Sequence, residues 1–195
     1  PLLSNIYLHV LDATWQSRCA HLGTLVRYAD DFVVVCDTKA KSREAEHRVT
    51  VILERLGLRL NEEKTCVRNA CREHFDFLGY TFGPQVSWKG KRYVGFAPSK
   101  KRVKRFKATI RAALRPGNQA PIADVVQELN RKLRGWKAYF RLGTRLKAHR
   151  AIDHYTRQSL RQFLVRRHKA PGRGVRRFPY VYIHDRLGLV RLVER

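Results

Sequence analysis

The chain has 195 residues, which is enough for one or two compact domains. It carries 41 Lys and Arg against 16 Asp and Glu, for a formal net charge of +25 at pH 7. No apolar run approaches the roughly 18 residues that a membrane-spanning helix needs, and no secretory signal peptide is visible. The sequence therefore predicts a soluble, intracellular protein that does not act at a membrane.

The first predicted element is a helix from Leu2 to about Cys19. Its apolar residues recur at helical spacing and predict one buried stripe, which consists of Leu3, Ile6, Tyr7, Val10, Leu11 and Trp15.

Two short runs of strand-forming residues, 24–27 and 32–36, flank the tetrapeptide Tyr28-Ala29-Asp30-Asp31. This arrangement predicts a tight hairpin with two aspartates at its tip. Adjacent carboxylates repel each other, and a divalent cation removes that repulsion. Oxygen-only ligands suit Mg²⁺. A bare Asp pair would be an ordinary solvated turn, but the two hydrophobic strands around it favour a metal site.

Residues 38–56 predict a second helix, which Thr38 caps and Gly57 ends. Short strands are predicted at 58–60 and 65–68, and a longer one at 75–82. A further hairpin is predicted around Lys89-Gly90-Lys91. Helices on one face of an antiparallel sheet make residues 1–98 an α+β domain.

The positive charge lies mainly in the second half of the chain. Residues 1–98 carry 14 basic against 11 acidic side chains, whereas residues 99–195 carry 27 against 5. Such a segment would repel itself without a polyanion, and nucleic acid is the usual one. An anionic membrane surface is the rival, but membrane anchors are seldom spread over several helices with a turn-rich tail.

From Lys100 onward the pattern is helical, with breaks at 115–118 and 143–144. The helix at 124–141 has a predicted buried stripe of Val125, Val126, Leu129, Leu133, Trp136 and Phe140. The opposite faces of this helix and of the helix at 147–168 are basic and nearly free of acids, which is the composition that a phosphate backbone selects. The expected RNA contacts are Arg131, Arg134, Lys137, Arg141, Arg150, Arg157 and Arg161.

The last segment, 171–195, mixes arginines with aromatic residues. Such a tail can stack nucleic-acid bases. Packing of Tyr180 and Tyr182 against the preceding helices is an equally good interpretation.

Several segments resemble, in the expected order, blocks of group II intron reverse transcriptases. Residues 28–31 look like their metal-binding hairpin, and residues 129–141 are similar to their maturase (thumb, or X) segment. The other matching segments are 1–8 (palm helix), 56–65 (the block after the hairpin) and 75–82 (the primer-holding block). The resemblance implies a palm at 1–98, an all-α, strongly basic maturase domain at 99–170 and a tail at 171–195.

The resemblance also implies RNA-directed DNA polymerisation with two Mg²⁺ ions. Asp30 is the implied metal ligand and catalytic residue, and Asp31 is implied to support it in the same catalytic metal site. The residues implied to contact the primer, template or nucleotide are Tyr28, Ala29, Lys64, Leu78, Gly79 and Tyr80.

In this family another metal-binding aspartate and a nucleotide-pocket motif precede the segment that Pro1 would begin. The resemblance therefore implies the C-terminal part of a larger protein, which we expect to be inactive alone. The implied partners are group II intron RNA, an RNA template with a DNA primer, deoxynucleotides and target DNA, in a cytoplasmic ribonucleoprotein. An RNA-binding maturase module without polymerase activity remains the alternative for this chain.

Overall fold

The computed structural model describes residues 2–193. Pro1, Glu194 and Arg195, which belong to the predicted first block and tail, lie outside the described residues. The chain forms two compact units. The first runs up to Leu78 and includes Gly83–Val94; the second comprises Gly79–Phe82 and the chain from Gly95 onward.

The first unit is built on two helices and a hairpin. In chain order its elements are helix α1 (Leu2–Thr14), a π-helical turn (Trp15–Cys19), strands β1 (Thr24–Tyr28) and β2 (Asp31–Val35), and helix α2 (Lys39–Arg55). Its core comprises Leu8, Leu11, Trp15, Cys19 and Leu22 together with Ala45, Val49, Ile52 and Leu53 of α2.

The predicted buried stripe of α1 is only partly right. Leu11 and Trp15 are buried, but Leu3 is 82% exposed and Ile6 is 63% exposed, while Leu8 is buried in their place. Tyr7 and Val10 are also exposed. Because α1 carries apolar residues on more than one face, their spacing could not decide which face meets α2.

Helix α2 has the predicted ends. The hydroxyl oxygen of Thr38 accepts the backbone N–H of Lys41 at 3.2 Å, and Gly57 has a φ of +70°.

The prediction of strands at 58–60 and 65–68 is wrong. The backbone turns there, since the N–H groups of Lys64 and Thr65 both donate to the carbonyl of Asn61. Leu58 and Leu60 pack on the core without a partner strand.

A second small sheet has the order β3-β4-β5, with β3 at Phe75–Phe77, β4 at Tyr80–Val86 and β5 at Arg92–Pro98. The single strand predicted at 75–82 is broken, because Leu78 and Gly79 adopt left-handed φ angles of +49° and +81°. The hairpin predicted around Gly90 is confirmed. Small antiparallel sheets with packed helices agree with an α+β unit followed by a helical one.

The second unit is mainly helical, with α3 at Lys100–Ala113, α4 at Ile122–Tyr139, α5 at Leu146–Arg167 and a π-helical turn at Tyr182–Arg186. All six residues of the predicted α4 stripe are buried. Helix α5 contributes Ile152, Leu160, Phe163 and Leu164 to the same core. None of the described helices combines the length and apolar character that crossing a bilayer requires.

The segment after α5 completes this core. Phe178, Ile183, Leu189 and Leu192 are buried in the same cluster as the helices, and Tyr182 packs against it. The Asn130 side chain donates to the Gly188 carbonyl at 2.8 Å and accepts the Val190 N–H at 2.9 Å. Asp153 accepts the N–H groups of Leu192 and Val193. Side chains of α4 and α5 thus hold the main chain of residues 188–193 through hydrogen bonds.

Candidate functional site

The aspartate hairpin is as tight as the sequence predicts. β1 and β2 pair antiparallel with Tyr28 opposite Asp31, so only Ala29 and Asp30 form the loop. Asp30 and Asp31 are both exposed, and Tyr28 is 68% exposed. The two carboxylates are therefore presented to solvent at one end of a short two-stranded ribbon.

Ala29 holds an unusual backbone conformation for its residue type. Its φ is +55°, in the left-handed region where two-residue hairpin loops usually place glycine. A non-glycine residue there costs about 1–3 kcal/mol and persists only where its surroundings hold it. The loop is therefore constrained by contacts beyond those of an ordinary turn.

Arg27 supplies that constraint. Its side chain is 10% exposed, and it binds both carboxylate oxygens of Asp12 in α1, with Nε 2.9 Å from Oδ1. Its Nη1 donates to the Ala29 carbonyl at 2.7 Å and to the Asn5 side-chain oxygen at 3.2 Å. A bidentate Arg–carboxylate pair fixes orientation as well as charge. One guanidinium thus ties the strained loop to α1.

The Arg27 guanidinium also favours the ionised form of the Asp12 carboxylate. The hydrogen bond that it donates lowers the pKa of Asp12 below its ordinary value, against a smaller opposing effect of burial. Sequence reasoning missed both residues. The available signal was a basic residue inside a predicted hydrophobic strand and the single acidic residue of α1.

The hairpin presents oxygen donors of the kind that a metal site uses. Two carboxylates offer the oxygen donors that Mg²⁺ prefers. Within residues 2–193, however, no group of three or more His, Cys, Asp or Glu side chains lies together in a way that could hold a metal ion. The residues fit Mg²⁺ by donor type and require further ligands from outside this set.

The other residues implied to contact primer or nucleotide lie apart from the hairpin loop in the sequence. Lys64 is exposed in the turn that Asn61 closes. Leu78 and Gly79 form the left-handed turn before β4. The Gly79 carbonyl accepts the N–H of Ser99, whose own side chain caps α3. Gly79 therefore lies in a turn and not within the strand predicted at 75–82.

Tyr80 is held inside an aromatic cluster of the second unit. Its ring lies 5.0 Å from that of Phe140 and 5.5 Å from that of Phe96, and its hydroxyl donates to the Tyr139 carbonyl at 2.9 Å. Burial raises the pKa of this hydroxyl above its ordinary value. Tyr80 therefore braces the helical unit, and its hydroxyl is already engaged.

The basic residues expected to contact RNA are exposed or half-buried, with one exception. Arg131, Arg134, Arg141 and Arg150 are exposed, while Lys137 and Arg157 are half-buried. The Arg157 guanidinium lies 5.2 Å from the centre of the Tyr180 ring.

The prediction that Arg161 points to solvent is wrong. Its side chain is 7% exposed, and it donates to the Phe178 carbonyl at 3.0 Å and to the Gln158 side chain at 3.1 Å. Burial lowers the pKa of its guanidinium. Periodicity placed Arg161 opposite the stripe, but the segment after α5 folds over that side of the helix.

Three of the acids in the described part of the second unit already have partners. Glu128 pairs with Lys132, Asp185 lies 3.2 Å from Arg191, and Asp153 accepts main-chain N–H groups. The exposed arginines of α4 and α5 therefore keep most of their charge for an external polyanion.

Two family models match the chain. Residues 1–82 match the reverse transcriptase (RNA-dependent DNA polymerase) family, and residues 103–180 match the maturase-specific domain of group II introns. A comparison with curated proteins found no match. The two matched ranges occur in the order of the palm-like and helical units and together account for most of the chain. The chain belongs to the group II intron reverse transcriptase/maturase family.

Proposed function

We propose that this chain provides the catalytic hairpin and the maturase domain of an RNA-directed DNA polymerase that also binds its intron RNA. The observation that carries the proposal is the constrained hairpin. Asp30 and Asp31 are exposed beside a left-handed Ala29, and Arg27, whose side chain is 10% exposed, fixes the loop to α1. A turn that served only as a solvated connection would need neither the backbone strain nor the clamp.

Each hairpin residue has its own role in the proposed nucleotidyl transfer. Asp30 and Asp31 offer carboxylate oxygens to Mg²⁺, which when bound stabilises the attacking and leaving oxygens of phosphoryl transfer. Arg27 keeps the loop in the geometry that presents Asp30. Tyr28 offers an exposed ring and Ala29 a small side chain for the approach of a primer end, while Lys64 and the turn at Leu78 and Gly79 contact primer or template.

The helical unit carries the second part of the proposal. Its exposed and half-buried cations bind intron RNA through phosphate contacts and so assist splicing and mobility. Arg131, Arg134, Lys137, Arg141, Arg150 and Arg157 remain the proposed contacts, and Arg161 is withdrawn. The support is that partnered acids leave these faces predominantly positive. Template, primer, deoxynucleotides and target DNA are the other proposed partners, in a cytoplasmic ribonucleoprotein.

An RNA-binding module without polymerase activity is the second candidate for residues 1–195 taken alone. Two carboxylates without a third ligand among residues 2–193 favour it. We expect no primer extension by this chain alone with Mg²⁺, primer, template and nucleotides, but retained RNA binding. Extension that depends on Asp30 would contradict this expectation.

The polymerase proposal is tested in an active protein that contains this chain. Asp30→Asn should abolish primer extension on an RNA template and leave RNA affinity unchanged, because phosphate contacts lie elsewhere. Asp37→Asn is the matched control, since Asp37 is an exposed acid that follows β2 and pairs with Lys41 at 3.0 Å. Parental extension by Asp30→Asn would refute the assignment.

A further inference from the structure

A pocket of about 350 Å³ lies between α3 and α4 in the second unit. Its lining includes Arg102, Arg105, Phe106, Trp136, Tyr139 and Phe140. The sequence-derived RNA contacts do not include any of these residues. The volume is at the small end of the range for pockets that hold a compact organic ligand.

The floor of the pocket is a row of aromatic rings in contact. The Phe106 and Trp136 rings are 4.7 Å apart at 30°, and the Trp136 and Phe140 rings are 4.2 Å apart. Trp136 and Phe140 are buried, whereas Tyr139 is 56% exposed. The floor is therefore fixed by the core, and one aromatic ring remains accessible at its edge.

Two guanidinium groups come from the α3 side. Arg102 and Arg105 are three residues apart and thus share a face of the helix, and α3 contains no acidic residue. Both are exposed. The stem of Arg102 packs closely over Gly79, where a β-carbon would lie 3.1 Å from Cγ. At least one of the two cations is thus held in place by packing.

A nucleotide matches this combination of chemistries. Every base has a π-face that stacks on aromatic rings or on Arg guanidinium planes, and its phosphate pairs with arginine. A base inside a duplex keeps both faces stacked on its neighbours, so it cannot offer one to the pocket. The size of the pocket limits the occupant to about one residue of a strand.

We propose that the pocket between α3 and α4 binds one unpaired nucleotide of an RNA strand, with its base against the aromatic floor and its phosphate on Arg102 and Arg105. This inference rests on the RNA-binding part of the proposed function and adds a preference for unpaired RNA. The arginine faces of α4 and α5 supply general phosphate affinity, and the pocket distinguishes a single-stranded position from a duplex.

The test compares two RNA probes with the full chain. One is a short single-stranded oligoadenylate, and the other is a blunt RNA duplex with the same number of phosphates. Tyr139→Ala and Arg105→Gln should each weaken oligoadenylate binding about fivefold or more and leave duplex binding nearly unchanged. The matched controls are Tyr93→Ala and Arg115→Gln, which alter an exposed tyrosine and an exposed arginine outside the pocket.

A second readout does not depend on substitution. The chain has three tryptophans, and the indole N–H of Trp136 has no acceptor within residues 2–193. In a two-dimensional NMR titration with oligoadenylate, the Trp136 indole signal should shift, while those of the buried Trp15 and the 91% exposed Trp88 should not. Inorganic phosphate alone should leave the Trp136 signal in place.

The possible outcomes separate this inference from the proposed function. If the parent binds neither RNA, the RNA-binding proposal fails and the pocket proposal fails with it. If the parent binds both RNAs and the pocket variants weaken them equally or not at all, only the pocket proposal is overturned. A Trp136 signal that stays fixed at saturating oligoadenylate would overturn it independently of any variant.

Discussion

Gly79 and Arg102 are in such close contact that the glycine cannot acquire a side chain without movement of the arginine. A β-carbon at position 79 would lie 2.9 Å from the Arg102 Nε, and Gly79 has a φ of +81°. The turn before β4 and the first turn of α3 therefore depend on each other. Arg102 on the pocket wall is therefore positioned by Gly79, a residue that the family resemblance implies contacts the primer.

We expect Gly79→Ala to destabilise the fold by more than the about 1–2 kcal/mol that left-handed strain alone costs. Gly90→Ala is the matched control, since Gly90 has a φ of +77° and no atom lies within 4 Å of the point that a β-carbon would occupy there. Denaturant unfolding measures the loss of unfolding free energy in both variants. In an Arg102→Ala background the cost of Gly79→Ala should fall toward that of Gly90→Ala, and an unchanged cost would rule out the steric explanation.

The Arg27–Asp12 pair should make stability depend on acid pH. Because the pKa of Asp12 is lowered in the folded protein, its contribution is present above the unfolded carboxyl pKa of about 4 and is lost as pH falls through the folded value. Asp12→Asn should destabilise by about 1 kcal/mol at pH 7 and by less at pH 3. Urea midpoints at both pH values measure the difference.

The control for this prediction is Asp37→Asn. In the parent, the Asp37 side chain is 85% exposed in its pair with Lys41. Exposed pairs contribute little, so that variant should unfold like the parent at both pH values. If the stability of Asp12→Asn depended on pH as that of the parent does, the role assigned to the Arg27–Asp12 pair would be contradicted.

In an active protein, Arg27→Lys should slow primer extension, because lysine cannot bind Asp12 and the Ala29 carbonyl with one planar group.

Arg134 and Lys137 of α4, together with Arg141 just after its end, should control the salt dependence of RNA binding. Replacing Arg134, Lys137 and Arg141 with Gln removes up to three phosphate contacts, and each lost contact flattens the log–log salt slope by about 0.7–0.9. The control replaces Arg43, Arg48 and Arg55 of α2, where Arg48 already pairs with Glu44 at 2.7 Å. Equal slopes for the two triple variants would remove the support for a maturase surface on α4.

Arg161 should behave in the opposite way to its neighbours on α5. Arg161→Gln leaves the Phe178 carbonyl without its donor in a buried setting, which should cost about 1–3 kcal/mol of unfolding free energy, while the salt slope of RNA binding stays parental. Arg150→Gln, on an exposed residue, should weaken RNA binding without loss of stability. Thermal unfolding and RNA titration of both variants separate the two roles, and a reversed pattern would restore Arg161 as a contact.

Sequence reasoning succeeded where one residue type determined the local structure. Thr38 at a helix start, Gly57 at its end and the six-residue stripe of α4 are all as predicted. Sequence reasoning failed where tertiary contacts decided which of two possible helix faces is buried. The exposed faces of α1 and the burial of Arg161 depend on which surfaces the rest of the chain covers, and spacing along one helix carries no information about that.

The candidate site divides in the same way. The hairpin and its aspartates follow from strand propensity and turn length, so they were visible in the sequence. The Arg27 clamp joins residues 15 positions apart, and the pocket joins α3 to α4, so both required a folded structure to be seen.

The packing of residues 178–192 into the core of α4 and α5 has a consequence for synthesis of the protein. These residues are made after α3, α4 and α5, yet they supply four buried side chains to the core of those helices. Domains made on the ribosome generally fold as units, and N-terminal domains fold before those that follow them. The helical unit must therefore wait, incompletely closed, until residue 192 has emerged, and during that interval its arginine-rich helices can meet RNA before their core is complete.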